Sequence, residues 1–156
     1  MKIEKCILDT NLFILLLIGL YNPDAIKVNK RTSKYSIEDF ESLRSFLLTV
    51  KKIFITPHIL TEVSNLTDRI GGKDVYNYFE IFKSVAKSHF EIYTPKDKLL
   101  DSQLLPRIGI TDTSLYFAAK ETNSIIITDD EECAPYLESH DCEILCLSAI
   151  QEYMKS

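Results

Sequence analysis

Two rhythms of apolar residues alternate along this chain, one suited to strands and the other to helices. Ile3 to Leu8, Ile53-Phe54-Ile55, Phe90 to Tyr93, Ile125 to Thr128 and Glu143 to Leu147 are short runs that read as strands, and Ile125 to Thr128 is the most β-prone of them. Leu12 to Leu20 is apolar throughout and reads as a helix that Thr10 and Asn11 cap after a tight turn. Ser36-Ile37-Glu38-Asp39 opens like a capping box, and Ile37, Phe40, Leu43, Leu47 and Val50 continue at helical spacing to about Lys51. Thr56 and Pro57 suit the cap and first residue of a helix that carries Ile59, Val63, Leu66 and Ile70 on one face and ends before Gly71-Gly72. Further helices are predicted from Lys73 to Ser88, from Lys98 to Leu105, after Thr111 as cap, near Pro135, and after Ser148 as cap. Asn22 to Lys34 has little periodicity and reads as an exposed loop.

Strands separated by helices predict an α/β protein, a three-layer α/β/α sandwich with a mostly parallel, about five-stranded sheet and right-handed crossovers. With 156 residues and 46% hydrophobic content, the expectation is one domain over residues 1–156 around a single core. The longest apolar run falls far short of the ~20 residues that span a bilayer, so the expectation is a cytoplasmic protein without a membrane partner. Cys6, Cys133, Cys142 and Cys146 form no Cys-x-x-Cys pair, and the three histidines show no ligand spacing. Buried free thiols are therefore expected rather than a disulfide or a zinc site.

The net charge of -5 argues against a protein that coats nucleic acid by bulk charge. It leaves room for a nuclease, whose metal-holding carboxylates make a site acidic while a local cluster meets phosphate. Lys27, Lys30, Arg31 and Lys34 form such a cluster, with no acid between Ala25 and Ser36.

Several carboxylates fall at comparable places. Asp9 follows the first strand, and Asp130 (or Asp129) follows the Ile125 to Thr128 strand. Asp112 opens the helix leading into that strand, and Glu62 lies one to two turns into a helix that starts at the same edge. In open α/β sheets, ligands bind outside the carboxyl ends of the strands. Four acids converging there without compensation would raise one another's pKa values, and divalent cations bound by hard oxygen ligands, Mg²⁺ or Mn²⁺ rather than Zn²⁺, would relieve the repulsion.

Leu8-Asp9-Thr10-Asn11, Thr56 to Val63, Thr111-Asp112-Thr113-Ser114-Leu115 and Ile127-Thr128-Asp129-Asp130 resemble, in order and approximate spacing, the four acidic motifs of PIN-domain ribonucleases. The resemblance covers nearly the whole chain. It implies Asp9, Glu62, Asp112 and Asp130 as catalytic, metal-binding carboxylates, with Asn11, Thr128 and Asp129 as orienting neighbours. Asp130 is preferred over Asp129 because the family pattern there looks like Thr-x-Asp. The implied activity is Mg²⁺- or Mn²⁺-dependent endonucleolytic hydrolysis of RNA, in the setting of a toxin with an antitoxin partner. The alternative is a PIN-fold RNA-binding or partner-binding module with a weak or inactive site. A receiver domain would need an acidic pair after the first strand, and a haloacid-dehalogenase-type phosphatase would need a second Asp where Asn11 stands. PIN relatives commonly dimerise, and Tyr76, Tyr78, Phe79, Ile81 and Phe82 are the residues expected at a homodimer surface.

Overall fold

The computed structural model describes residues 2–70 and 72–155. The first strand, β1 (Lys5–Leu8), has its last three residues buried and leads directly into α1 (Thr10–Tyr21). Every residue of α1 from Leu12 to Gly19 is buried, as befits a helix that is apolar all round. The cap is not Thr10 or Asn11 but Asp9, whose carboxylate accepts from the Leu12 N–H at 2.9 Å. Thr10 is already helical, and a carboxylate at the N-terminus also meets the positive end of the helix dipole.

The segment expected to be an exposed loop contains a short helix, α2 (Ala25–Val28). Ile26 and Thr32 are buried, and the Thr32 hydroxyl donates to the Ile26 carbonyl at 2.7 Å, which folds the segment back on itself. Next comes α3 (Ile37–Leu47), and its predicted capping box is complete: Asp39 N–H donates to Ser36 Oγ, and Ser36 N–H donates to Asp39 Oδ2. The strand β2 (Lys52–Ile55) runs into α4 (Pro57–Thr67), where Thr56 caps by accepting from the Ile59 N–H at 3.1 Å.

A 3₁₀ turn (Gly72–Asp74) precedes α5 (Val75–Ser88), β3 (Phe90–Glu91) and α6 (Lys96–Leu100). Tyr78, expected at a dimer surface, is 0% exposed, and its ring stacks edge-on against Tyr21 and Phe79. The long α7 (Leu105–Thr122) is broken at Gly109, whose φ of 80° and ψ of 174° are not helical. Thr111 therefore does not cap a new helix. The break lies two residues earlier, where only glycine takes this conformation without strain.

β4 (Ile125–Ile127), α8 (Cys133–Glu138), β5 (Ile144–Leu145) and α9 (Leu147–Lys155) complete the chain. Ser148 is inside α9 rather than before it, and the first N–H of that helix, that of Leu147, donates to Asp129 Oδ1 from a distant segment. The five strands pair in the order β3-β2-β1-β4-β5, all parallel, and helices cover the sheet in a three-layer α/β/α sandwich. One cluster of buried side chains runs through β1, α1, α3, α4, α7, β4 and α9. Among the described residues no helix is long and apolar enough to cross a membrane, and all four cysteines are free, three of them buried and Cys146 half-buried.

Candidate active site

The chain runs outward from β1 through β2 to β3, then returns to the other side of β1 for β4 and β5. The order reverses between β1 and β4, and ligands of open α/β sheets bind in the crevice that such a reversal leaves at the carboxyl ends. Register decides which residues meet there. Leu8 pairs with Ile127, so the next residue of each strand, Asp9 and Thr128, leave the sheet side by side. The Thr128 hydroxyl donates to Asp9 Oδ2, the Asp9 N–H donates to the Ile127 carbonyl at 3.0 Å, and Leu12 N–H holds the other carboxylate oxygen. Asp9 is 6% exposed and fixed at both oxygens.

Burial raises the Asp9 carboxyl to about 6, against the two hydrogen bonds that favour its ionised form, and the Asp130 and Asp129 charges raise it further. Asp112, half-buried on α7 three residues past the Gly109 break, is raised to about 7 by burial and then by the charges of Asp9, Glu62 and Asp130. Asp112 thus feels the charges of Asp9, Glu62 and Asp130, and Asp9 feels that of Asp130, although these groups come from β1, α4, α7 and the β4–α8 turn. Neither value is lowered by a lysine or an arginine.

Glu62 is held relative to Asp112 by the contact of their helices, where Thr56 Oγ1 at the start of α4 hydrogen-bonds Ser114 Oγ on α7 at 2.9 Å. The Ser114 hydroxyl also bonds the Thr111 carbonyl at 2.6 Å, which anchors the turn carrying Asp112. Among the described residues, no three histidine, cysteine or carboxylate side chains stand close enough together to hold a metal ion. The donor set is all hard oxygen, the type that Mg²⁺ or Mn²⁺ takes. By donor type alone the residues suit such an ion.

Asp129 and Asp130 divide the two roles that the sequence left open. Asp129 caps α9 through Leu147 N–H at 3.3 Å. Asp130 is exposed, uses Oδ1 to accept from Glu132 N–H and Cys133 N–H, both at 3.0 Å, and lines a hollow of about 430 Å³ together with Asp112 and Arg107. Asp129→Ala is therefore expected to destabilise the fold by about 1 kcal/mol, the usual cost of a lost cap, in chemical denaturation. Cys133 lines the same hollow with its thiol raised to about 12, by burial first and then by Asp112, Asp130, Asp9 and Cys142, so it stays protonated.

Asn11 is exposed at the start of α1 and makes no hydrogen bond to the acids. Lys27, Lys30, Arg31 and Lys34 are exposed as expected, and the residue that follows them, Tyr35, feels the charges of the site. Tyr35 is buried, and its hydroxyl is pushed up by burial and then by Asp129, Asp9, Asp39 and Asp130. Lys34 Nζ lies 5.1 Å from the centre of that ring. Sequence reasoning missed Tyr35, because nothing local marks an aromatic after a basic run as a neighbour of carboxylates. It also missed Arg107, whose guanidinium stacks 4.5 Å over the Tyr136 ring at the rim of the acidic hollow.

No protein-family model and no curated protein matches the chain. Its fold does have a match. The crystal structure of PAE2754 from Pyrobaculum aerophilum superposes with a TM-score of 0.57, over 99% of this chain and 91% of that one, at 17% identity. At that identity the likeness speaks for the fold alone.

The raised carboxyls make the metal-free protein's stability depend on pH. Unfolded aspartates titrate near ~3.9, so between that value and about 6 to 7 the folded state binds more protons than the unfolded one. Stability is then fully present at low pH and lost as pH rises through the two folded values. In EDTA the melting temperature is expected to be higher at pH 5 than at pH 8, and Mg²⁺, which favours the ionised forms, should narrow the gap. A metal-free melting temperature that rises from pH 5 to pH 8 contradicts this.

Proposed function

We propose that this protein is a cytoplasmic Mg²⁺- or Mn²⁺-dependent endoribonuclease of the PIN-domain type. The observation that carries the reading is the convergence of Asp9 and Asp130 at the point where the strand order reverses, where their charges and that of Glu62 raise the Asp112 carboxyl. Asp9, Glu62, Asp112 and Asp130 would hold the ion. When bound, it supplies a water of lowered pKa as nucleophile and neutralises the charge that develops at phosphorus.

The chain's own residues supply the rest. Thr128 and the Leu12 N–H fix the Asp9 carboxylate in one orientation, so it meets a ligand without reorganising. Asp112, raised to about 7, takes or gives a proton near neutral pH until a cation holds it ionised. Arg107 stands at the rim with its planar fork free to meet a phosphate oxygen. The exposed Lys27, Lys30, Arg31 and Lys34 would track the RNA backbone beyond it. As the resemblance implies, the protein would be the toxin of a toxin–antitoxin pair and a homodimer. With Tyr78 buried, Tyr76, 84% exposed on α5, is the remaining exposed aromatic for that contact, and a monomer mass by light scattering at micromolar concentration removes the dimer.

The test is incubation of RNA with the protein in Mg²⁺, Mn²⁺ or EDTA, with Asp9→Asn as control. Asn keeps the oxygen that caps α1 and loses the charge. Internal cleavage that requires metal and disappears in Asp9→Asn is expected. RNA binding without cleavage under any metal would make the protein a binding module instead.

A further inference from the structure

We propose that the hollow between α4 and α7 is a nucleobase site that admits single-stranded RNA next to the bond being cut. This rests on the nuclease reading and adds the place where a base of its substrate is held. The hollow measures about 590 Å³, and its walls include His58, Glu62, Asn65, Leu66, Tyr93 and Ile110. Pockets of a few hundred cubic ångströms with apolar walls and a few polar groups suit small planar ligands. Tyr93 is 62% exposed and Ile110 40%, so a ring and an aliphatic side chain stand open to solvent at its mouth.

A base needs a face to stack on and an edge to bond. Tyr93, Leu66 and Ile110 offer the face. Asn65 offers both donor and acceptor, and His58 Nδ1 is buried with no hydrogen-bond partner. The lining carries no lysine or arginine but does carry Glu62, so a phosphate is repelled here while the N–H edge of a base is not. Position decides which base is bound. Glu62 borders this hollow, and its charge also acts on Asp112, which borders the acidic hollow with Asp130. A nucleotide whose base enters beside Glu62 has its neighbouring phosphate near the acids. Bases inside an A-form duplex are stacked and paired and cannot enter, whereas unpaired ones splay onto aromatic side chains.

The experiment uses a short RNA bearing 2-aminopurine, whose fluorescence falls on stacking, first in EDTA and then with Ca²⁺. Single strands are expected to be quenched by the wild-type protein, and the matching duplex is not. Tyr93→Ala should weaken single-strand binding roughly five- to hundredfold, the range for a lost base–aromatic stack, while Tyr93→Phe keeps it. Tyr93 is exposed, so the alanine protein should melt with the parent. Equal affinities for wild type and Tyr93→Ala, no quenching in either condition, or a leucine-rich peptide displacing nothing but binding this hollow itself would overturn the proposal. Because binding is read without turnover, failure of cleavage with Tyr93-dependent quenching removes the nuclease reading alone. Metal-dependent cleavage that is indifferent to Tyr93→Ala removes the base site alone.

Discussion

Asp112→Asn is expected to lose metal-dependent RNA cleavage by about a hundredfold or more and, without metal at pH 8, to be more stable than the parent. The two effects have one cause. Asp112 ionises only at about 7 because burial and the Asp9, Glu62 and Asp130 charges oppose it, so at pH 8 the folded protein carries a charge it resists. A neutral amide of the same shape removes that opposition, and after discounting for solvent screening this should stabilise by about 2 kcal/mol. The same amide is a poor ligand for a hard cation, and loss even of groups that only orient a metal ligand costs about ten- to hundredfold. At pH 5 the parent's Asp112 is itself protonated, so the stability difference should shrink. Thermal melts at both pH values, with and without Mg²⁺, check all three parts. The parent should gain stability from Mg²⁺ and the variant should gain less, since a ligand stabilises only in proportion to its binding to the folded state. An Asp112→Asn protein that is less stable than the parent at pH 8 in EDTA, or that cleaves RNA as well, contradicts the site.

Gly19→Val is expected to destabilise the protein by about 3 kcal/mol, a fall in melting temperature of about 6 to 12 °C for a chain of this size. In an ordinary helix interior, replacing glycine by a residue with a Cβ gains up to about 1 kcal/mol. Here the sign reverses, because a Cβ on Gly19 would lie 2.1 Å from Phe40 Cδ1 and 2.3 Å from Cε1. Phe40 is 3% exposed on α3, and α1 packs directly against that helix, so moving the ring means repacking buried neighbours. The clash is relieved if the ring is removed. In a Phe40→Ala background the valine should cost much less, and this coupling, read from a double-mutant cycle, separates a local clash from a general loss of helix packing.

The alternation of strands and helices was legible in the sequence because short-range preferences decide it. The Ser36-Asp39 box, the Thr56-Pro57 start and the Ile125-Ile126-Ile127 run each carry their own signal within a few residues. The same locality put Asp9 and Asp130 after strands, since a parallel sheet sends all its strand ends to one edge. Even the local reading failed where a single backbone angle mattered. The sequence reads a loop-to-helix start over Gly109 to Asp112 with Thr111 as cap, but the break is confined to Gly109, whose positive φ sets the boundary two residues earlier.

Other features belong to the tertiary structure. That Asp9 caps α1 and also receives the Thr128 hydroxyl depends on Leu8 pairing with Ile127, more than a hundred residues away. That Asp129 caps α9, leaving Asp130 to face the acidic hollow, depends on where Leu147 arrives. Tyr78 reads the same as Tyr76 by type and helix, yet one is buried against Tyr21 and the other is solvent-exposed, because the neighbours of α5 and not its own period choose its buried face. The uncompensated charge on Asp112 is likewise invisible in a string of residues. Each carboxylate is at ease in a separate stretch of chain, and their repulsion exists only once β1, α4, α7 and the β4–α8 turn are brought to one edge by a core whose burial outweighs it.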